Sequence, residues 1–164
     1  MAAREERLLR ILDGSAQAVD CIRSNQRAML HVLQRRVESA TPLTNEKELH
    51  EYLWFTMAHQ PVETVRGLFL SAAHRLIRDE VLSTGTSAEA LIAPRDVIFR
   101  ALELGATSLI LVHNHPSGDP APSAADLRLT QALVRAAAPL GIRVHDHVIV
   151  GAQECTSMRA RGLM

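Results

Sequence analysis

Two histidines and an aspartate stand close together in the second half of the chain, at positions 113, 115 and 126. His113 and His115 follow the apolar run 108–112, which is typical of a strand buried on both faces. Side chains at positions i and i+2 of a strand point to the same side, so both imidazoles can reach one metal ion. Asp126 follows a segment rich in proline and glycine, 116–122, in the first turn of a predicted helix. Two nitrogens and one carboxylate oxygen, with a fourth position open to water, are the ligand count of a catalytic zinc site.

Asp126 also has a purely structural interpretation. Ser123 and Asp126 have the spacing of a capping box, in which the two side chains satisfy the first backbone amides of a helix. Capping does not explain two histidines that leave the same face of a buried strand, and both interpretations can hold together. Cys21 and Cys155 are not placed to complete a structural zinc site, which would usually close all four positions.

The amino-acid sequence of this segment resembles that of a known metalloenzyme family. His-x-His, a serine eight residues after the second histidine and then x-x-Asp match the JAMM motif of MPN-type metalloenzymes. The string HNHPSGDPAPSAAD, with LILV before it and GIRVHDHVIVG after it, is similar to the RadC family in particular, and the resemblance runs from about Val62 to Gly151. It implies an MPN/JAB-like fold and a Zn²⁺ hydrolase site. Relatives with this fold cut isopeptide bonds to ubiquitin-like proteins, so the implied substrate is a peptide or a protein conjugate.

The resemblance also implies an upstream glutamate that acts as general base and acid. Glu63 lies at the start of the first predicted strand, where the family's glutamate stands, and Glu80 lies on the next strand. We favour Glu63 and keep Glu80 as the alternative. By the same resemblance the Ser123 hydroxyl stabilises the oxyanion, although it cannot fully cap the helix and donate to an oxyanion at once.

The chain departs from the family pattern in two places. Ser71 stands where RadC proteins usually have aspartate, and the N-terminal region lacks the glycine-centred helix-hairpin-helix pattern of full-length members. A metal-dependent DNA nuclease is the alternative enzyme, since a metal-activated hydroxide can also attack phosphorus. A non-catalytic MPN domain that binds partners is the alternative without chemistry, but domains of that kind usually lose the metal ligands that this chain retains.

Composition bounds the class of protein. The chain has 164 residues, 47% of them apolar, and Lys+Arg and Asp+Glu both number 18. A binder of nucleic acid usually shows a basic excess, so charge does not support that partner. No stretch is long and apolar enough for a membrane span, and two distant cysteines fit a reducing cytoplasm. The sequence does not indicate an oligomeric state.

The elements that must position the site follow from hydrophobic periodicity. They are a helix over 3–39 with a break at 13–15, a helix over 45–57, a hairpin of strands 62–70 and 75–82, a helix over 94–104, a strand over 108–112, a helix over 123–140 and a strand over 142–150. This order predicts an α/β (α+β) fold with one mixed sheet flanked by helices. We interpret residues 1–40 as an accessory helical extension without ligands, and 45–164 as the MPN/JAB domain.

Three further polar residues are weaker candidates. Asp119, in the loop after the histidines, is interpreted as a turn residue rather than a ligand. His145 and His147 alternate along the last long strand and are expected to share a face. We interpret them as buried histidines or as residues that support the metal ligands, rather than as a second site.

Overall fold

A computed structural model describes residues 2–39, 45–85 and 92–164. The helices and strands in these ranges follow the predicted order and confirm the predicted fold class. They are α1 (Ala2–Ile11), α2 (Ala16–Ser39), α3 (Glu46–Met57), β1 (Glu63–Leu70), β2 (Leu76–Gly85), α4 (Pro94–Glu103), β3 (Ser108–Asn114), α5 (Ala124–Ala137), β4 (Arg143–Val150) and β5 (Cys155–Ser157).

The five strands form one mixed sheet in the order β2-β1-β3-β4-β5. β1 runs antiparallel to both β2 and β3, and the five residues 71–75 form the turn that joins β1 to β2. β3 and β4 are parallel, which requires the chain to cross over between them, and α5 makes that crossing. All seven residues of β3 are buried, as expected of a central strand with helices on both faces.

The two faces of the sheet are covered by different helices. On β3, Ile110 and Val112 face a core cluster built with α2 and α3, whereas Leu109 and Leu111 face a second cluster built with α4 and α5. The alternation of side chains along β3 therefore feeds both cores. His113 continues the row of Leu109 and Leu111, so its imidazole emerges on the α4/α5 face.

The N-terminal helices pack on the first of these cores. Leu33 and Val37 of α2 are buried against Leu49 and Leu53 of α3. α3 begins where the Asn45 side chain accepts a hydrogen bond from the Glu48 amide at 3.3 Å, while residues 41–44 lie outside the described ranges. α2 is 24 residues long but rich in charge, and within the described ranges no helix is suited to cross a membrane.

The turn between β1 and β2 has no glycine, although the hairpin requires the chain to reverse sharply. His74 has a φ of +57°, the left-handed conformation that usually favours glycine or asparagine. The Ser71 amide donates to the Arg75 carbonyl at 2.9 Å and closes the turn. The predicted hairpin is confirmed, with a histidine in the position where turn statistics favour glycine.

Candidate metal centre

His113, His115 and Asp126 converge at one end of the sheet. His113 lies near the end of β3, His115 follows directly after it, and Asp126 is the third residue of α5. The His113 Nε2 atom lies 2.9 Å from His115 Nε2 and 3.1 Å from Asp126 Oδ1, and His115 Nε2 lies 3.5 Å from Asp126 Oδ2. One ligand atom from each residue lies within 4.8 Å of the other two, so the group could hold a metal ion.

The loop after His115 fixes that imidazole. His115 Nδ1 lies 2.7 Å from the Asp119 carbonyl oxygen, which can only accept, so Nδ1 carries a proton and Nε2 is the nitrogen directed at the cluster, where the contact with Asp126 raises the pKa of the imidazole. The Asp119 side chain accepts from the Ala121 amide at 2.9 Å, which confirms its interpretation as a turn residue. A Cβ on Gly151 would lie 2.6 Å from the Gly118 carbonyl oxygen, so the close approach of β4 to this loop requires glycine at 151.

The start of α5 holds Asp126 in place. Ser123 and Asp126 form the predicted capping box: Asp126 Oδ2 accepts from the Ser123 amide at 2.7 Å and from its hydroxyl at 2.6 Å. Burial alone would raise the pKa of the Asp126 carboxyl, but contacts with His113, His115 and Ser123 hold that pKa far below its usual range. The carboxylate is therefore ionised, with Oδ2 held by Ser123 and Oδ1 directed toward His113.

The chemistry of these atoms fits a bound cation. An unprotonated imidazole nitrogen and an ionised carboxylate can only accept, and His113 Nε2 lies 2.9 Å from His115 Nε2 and 3.1 Å from Asp126 Oδ1. Acceptors at such distances repel one another unless a proton or a metal ion lies between them. Imidazole nitrogens with a single carboxylate suit zinc and neighbouring transition metals. The three residues thus satisfy the requirement for a divalent metal site with open coordination positions.

Glu63, and not Glu80, lies beside this cluster. Glu63 is two residues before Val65, which pairs with His113, so its side chain lies on the same face of the sheet. Its Oε1 atom is buried and has no hydrogen-bond partner among the described residues. Burial raises the pKa of the Glu63 carboxyl, while the charges on His113 and His115 act to lower it.

Glu80 is instead paired with an arginine of α4. Its Oε2 atom accepts a hydrogen bond from Arg100 Nη2 of α4 at 2.9 Å, and the bonds to Arg100 lower the pKa of the Glu80 carboxyl. A carboxylate that is ion-paired on β2 gains no contact with the His113 cluster. Of the two candidates, only Glu63 is brought to the site.

Asn114 has a role at the site that the sequence did not reveal. Its side chain is fully buried, and its Oδ1 atom accepts from the Thr64 amide at 2.9 Å. Its amide nitrogen lies 3.4 and 3.3 Å from the carbonyl oxygens of Gln60 and Val62. Asn114 therefore fastens the start of β1, which carries Glu63, to the strand that carries the histidines. The signal was visible only as the middle residue of His-Asn-His, with no partner indicated.

The expectation that His145 and His147 share a face is wrong. Val144 pairs with Leu109 and Asp146 with Ile110, so a bulge leaves His145 without a partner in the pairing of β3 with β4. His147 is completely buried and its Nε2 atom lies 2.8 Å from His113 Nδ1, whereas the His145 ring contacts His74. Only His147 adjoins the cluster. Thr130 of α5, which sequence analysis did not consider, lies beside His147.

His145 is expected to make stability depend on pH. Its Nε2 atom is buried without a partner among the described residues, and burial, with the charges of Arg143, His74 and Arg159, lowers the pKa of the imidazole to about 4. The unfolded chain, with a histidine pKa near ~6.5, binds the proton first, so stability falls as pH falls from about 6.5 to 4. When the pH is lowered from 7 to 5, the free energy of unfolding of wild type is expected to fall by roughly 1–2 kcal/mol more than that of His145→Leu.

Urea unfolding at both pH values measures this gain. His31→Leu is the matched control, because it makes the same substitution at a histidine that is exposed on α2. If His145→Leu and wild type lose stability in parallel between pH 7 and pH 5, the assigned cause is wrong.

Comparison with known proteins agrees with this geometry. A family model described as RadC-like JAB domain matches residues 43–163, which contain the whole sheet and every residue of the cluster. A UPF0758 protein of Rhodobacter capsulatus is 40% identical over 164 residues, covering 100% of this chain and 77% of that protein. Both similarities extend far beyond the histidine segment.

Proposed function

The chain belongs to the RadC-like JAB domain family, and from that premise we propose that it is a zinc-dependent peptidase or isopeptidase. The observation that supports the proposal is the meeting of His113, His115 and Asp126 beside a buried carboxylate oxygen of Glu63 that has no partner among the described residues. Buried polar atoms in native proteins are nearly always hydrogen-bonded. An ion and a water at the cluster would satisfy all four residues.

Each residue has a distinct part in the proposed hydrolysis. When bound, zinc supplies Lewis acidity, which lowers the pKa of water to about 7 and polarises a carbonyl. Glu63 accepts a proton from the attacking water as its oxygen bonds to the carbonyl carbon, and donates that proton to the amine as the carbon–nitrogen bond breaks. Partial burial raises the pKa of the Glu63 carboxyl. This brings that pKa closer to neutral pH, where a general base and acid must exchange protons.

Ser123 has a conditional place in this scheme. Its hydroxyl proton is directed to Asp126 Oδ2 at 2.6 Å, so Ser123 orients the carboxylate in this arrangement. The predicted donation to an oxyanion requires the hydroxyl to rotate away from Asp126. The Ser123 amide, which donates to Asp126 at 2.7 Å, can keep the carboxylate in place during that rotation.

The surroundings favour an amide substrate over a phosphodiester. The loop 116–122 contains an aspartate and no lysine or arginine. Arg100 pairs with Glu80 and Glu103, and Arg95 lies 3.5 Å from Asp96, so these guanidinium groups are already paired with carboxylates. A phosphate backbone needs basic partners, whereas carbonyl addition needs a proton shuttle and a Lewis acid.

A substrate screen tests the proposal. Zinc-loaded protein is offered C-terminally conjugated peptides and a single-stranded oligonucleotide, with metal-free protein as control. We expect about one zinc per chain and zinc-dependent cleavage of a peptide or isopeptide bond. Zinc-dependent cleavage of the oligonucleotide alone would establish the nuclease instead. Stoichiometric zinc without cleavage of any substrate would favour the non-catalytic, partner-binding domain.

We further propose that the protein is cytoplasmic and that residues 1–40 form an accessory segment outside the domain that carries the site. Cys21 and Cys155 are free thiols, which suits a reducing cytoplasm. Residues 1–40 supply none of the four residues at the site, in keeping with an accessory role, although Leu33 and Val37 contribute to the core.

A further inference from the structure

A series of hydrogen bonds, which we call the relay, runs behind His113 on the side away from the cluster and includes His147 and Thr130. His113 Nδ1 lies 2.8 Å from His147 Nε2, and His147 Nδ1 lies 2.6 Å from Thr130 Oγ1. Thr130 Oγ1 in turn lies 2.6 Å from the carbonyl oxygen of Asp126. All four residues are 0–2% exposed, so water does not compete for these bonds. The relay therefore starts at the side chain of one proposed metal ligand, His113, and ends on the backbone of another, Asp126.

Only one direction of donation is consistent with these contacts. The Asp126 carbonyl cannot donate, so the Thr130 hydroxyl must donate to it; otherwise two acceptors would lie 2.6 Å apart without a hydrogen between them. The third neighbour of the hydroxyl, Met158 Sδ at 3.4 Å, is a weak acceptor and does not divert its proton. With its proton committed, Thr130 Oγ1 accepts from His147 Nδ1–H. His147 Nε2 then carries a lone pair and accepts from His113 Nδ1–H.

This direction determines which nitrogen of His113 is available to a metal. With the proton on Nδ1, the Nε2 lone pair points at His115 and Asp126. We propose that His147 and Thr130 are positioning residues that hold His113 in the Nδ1–H tautomer and so prepare it as a metal ligand. The proposal rests on the proposed function in one respect, that the cluster holds zinc.

The arrangement also explains why the support comes from two different elements. His147 lies on β4, beside β3, and Thr130 lies one turn after Asp126 on α5. The bonds therefore join the strand that carries His113 to the helix that carries Asp126. A shift of α5 relative to the sheet would break the relay and displace the carboxylate together.

Thr130 offers a near-isosteric test with a matched control. Thr130→Val keeps the shape but removes the hydroxyl, so His147 Nδ1–H loses its acceptor, whereas Thr130→Ser keeps the hydroxyl. Zinc affinity is measured by competition with a chromophoric chelator. Because loss of a residue that supports a metal ligand weakens affinity by about 10–100-fold, we expect that loss for Thr130→Val and near wild-type affinity for Thr130→Ser.

A second readout does not depend on zinc. Two-bond ¹H–¹⁵N correlation spectra of metal-free protein at pH 8 report the histidine tautomers, and we expect His113 as Nδ1–H in wild type and Thr130→Ser, but a mixture in Thr130→Val. If wild type binds no zinc yet shows these tautomers, the proposed function fails and the relay stands. If Thr130→Val keeps the wild-type tautomer or the wild-type zinc affinity, the relay does not position His113.

Should Thr130→Val fail to fold, His147 supplies another pair. His147→Gln retains one acceptor and one donor at similar spacing, and we expect it to keep affinity better than His147→Leu by about tenfold or more. Equal affinities in a folded pair would overturn the assignment.

Discussion

The double substitution His113→Ala/His115→Ala is expected to reduce the zinc content of the purified protein from about one equivalent to nearly none. The variant loses both nitrogen donors and retains the single carboxylate of Asp126, which is too few ligands for a zinc site. The two imidazoles meet 2.9 Å apart at the end of β3, so the double substitution removes both nitrogen donors from the same place. Metal analysis after dialysis against excess zinc measures the effect directly.

The control for this experiment is His31→Ala, which removes a histidine from an exposed position on α2, away from the cluster. It should retain the zinc content of wild type, because unspecific binding to surface histidines contributes little. Circular dichroism must show that both variants are folded. Unchanged zinc content in the folded double variant would show that the metal is held elsewhere, and the proposed function would fall with it.

The residues of the candidate metal site were predictable because the signal is local. His113 and His115 are adjacent on one strand face, and Asp126 follows within one loop and the first turn of a helix. Local spacing and strand geometry are sufficient to bring such residues together. The mixed sheet was predictable in the same way, from periodicity within each segment and from a crossover helix between the strands that run parallel.

The sequence predicted His147 as a buried or supporting histidine, but its contact with His113 and the part of Thr130 were not predictable, because they depend on pairing between distant segments. His147 is 34 residues from His113, and the pairing of β4 with β3 alone brings it behind the His113 imidazole. A bulge next to Val144 breaks the alternation on which the common face of His145 and His147 was inferred. Bulges shift register by one residue and leave little trace in a single sequence.

The choice between Glu63 and Glu80 stayed open in the sequence for the same reason, because it depends on how distant strands pair. Both stand on strands of one hairpin, and sequence spacing does not say which strand adjoins β3. In the structure β1 is the inner strand and β2 the edge, so Glu63 approaches the histidines, while Glu80 meets Arg100. Asn114 then ties the start of β1 to β3 through three hydrogen bonds, a link that no local pattern indicates.

Replacing Glu63 by glutamine is expected to lower kcat by roughly 10²–10⁴-fold on the substrate identified by the screen, with zinc content unchanged. Glutamine keeps the size of the side chain and can still hydrogen-bond a water, but it cannot take up the proton that the attack releases. Zinc content is preserved because the proposed ligands His113, His115 and Asp126 are intact.

Glu80→Gln is the matched control for this last prediction, since it makes the same chemical change on the neighbouring strand. Glu80 pairs with Arg100 at a partly exposed position, so its loss affects stability by about 1 kcal/mol or less and leaves kcat near that of wild type. The comparison separates a proton shuttle from a general effect of removing a carboxylate from the hairpin. A Glu63→Gln protein that binds zinc and turns over at the wild-type rate would remove Glu63 from the mechanism, and a large loss in Glu80→Gln instead would show that the wrong strand was assigned to the reaction.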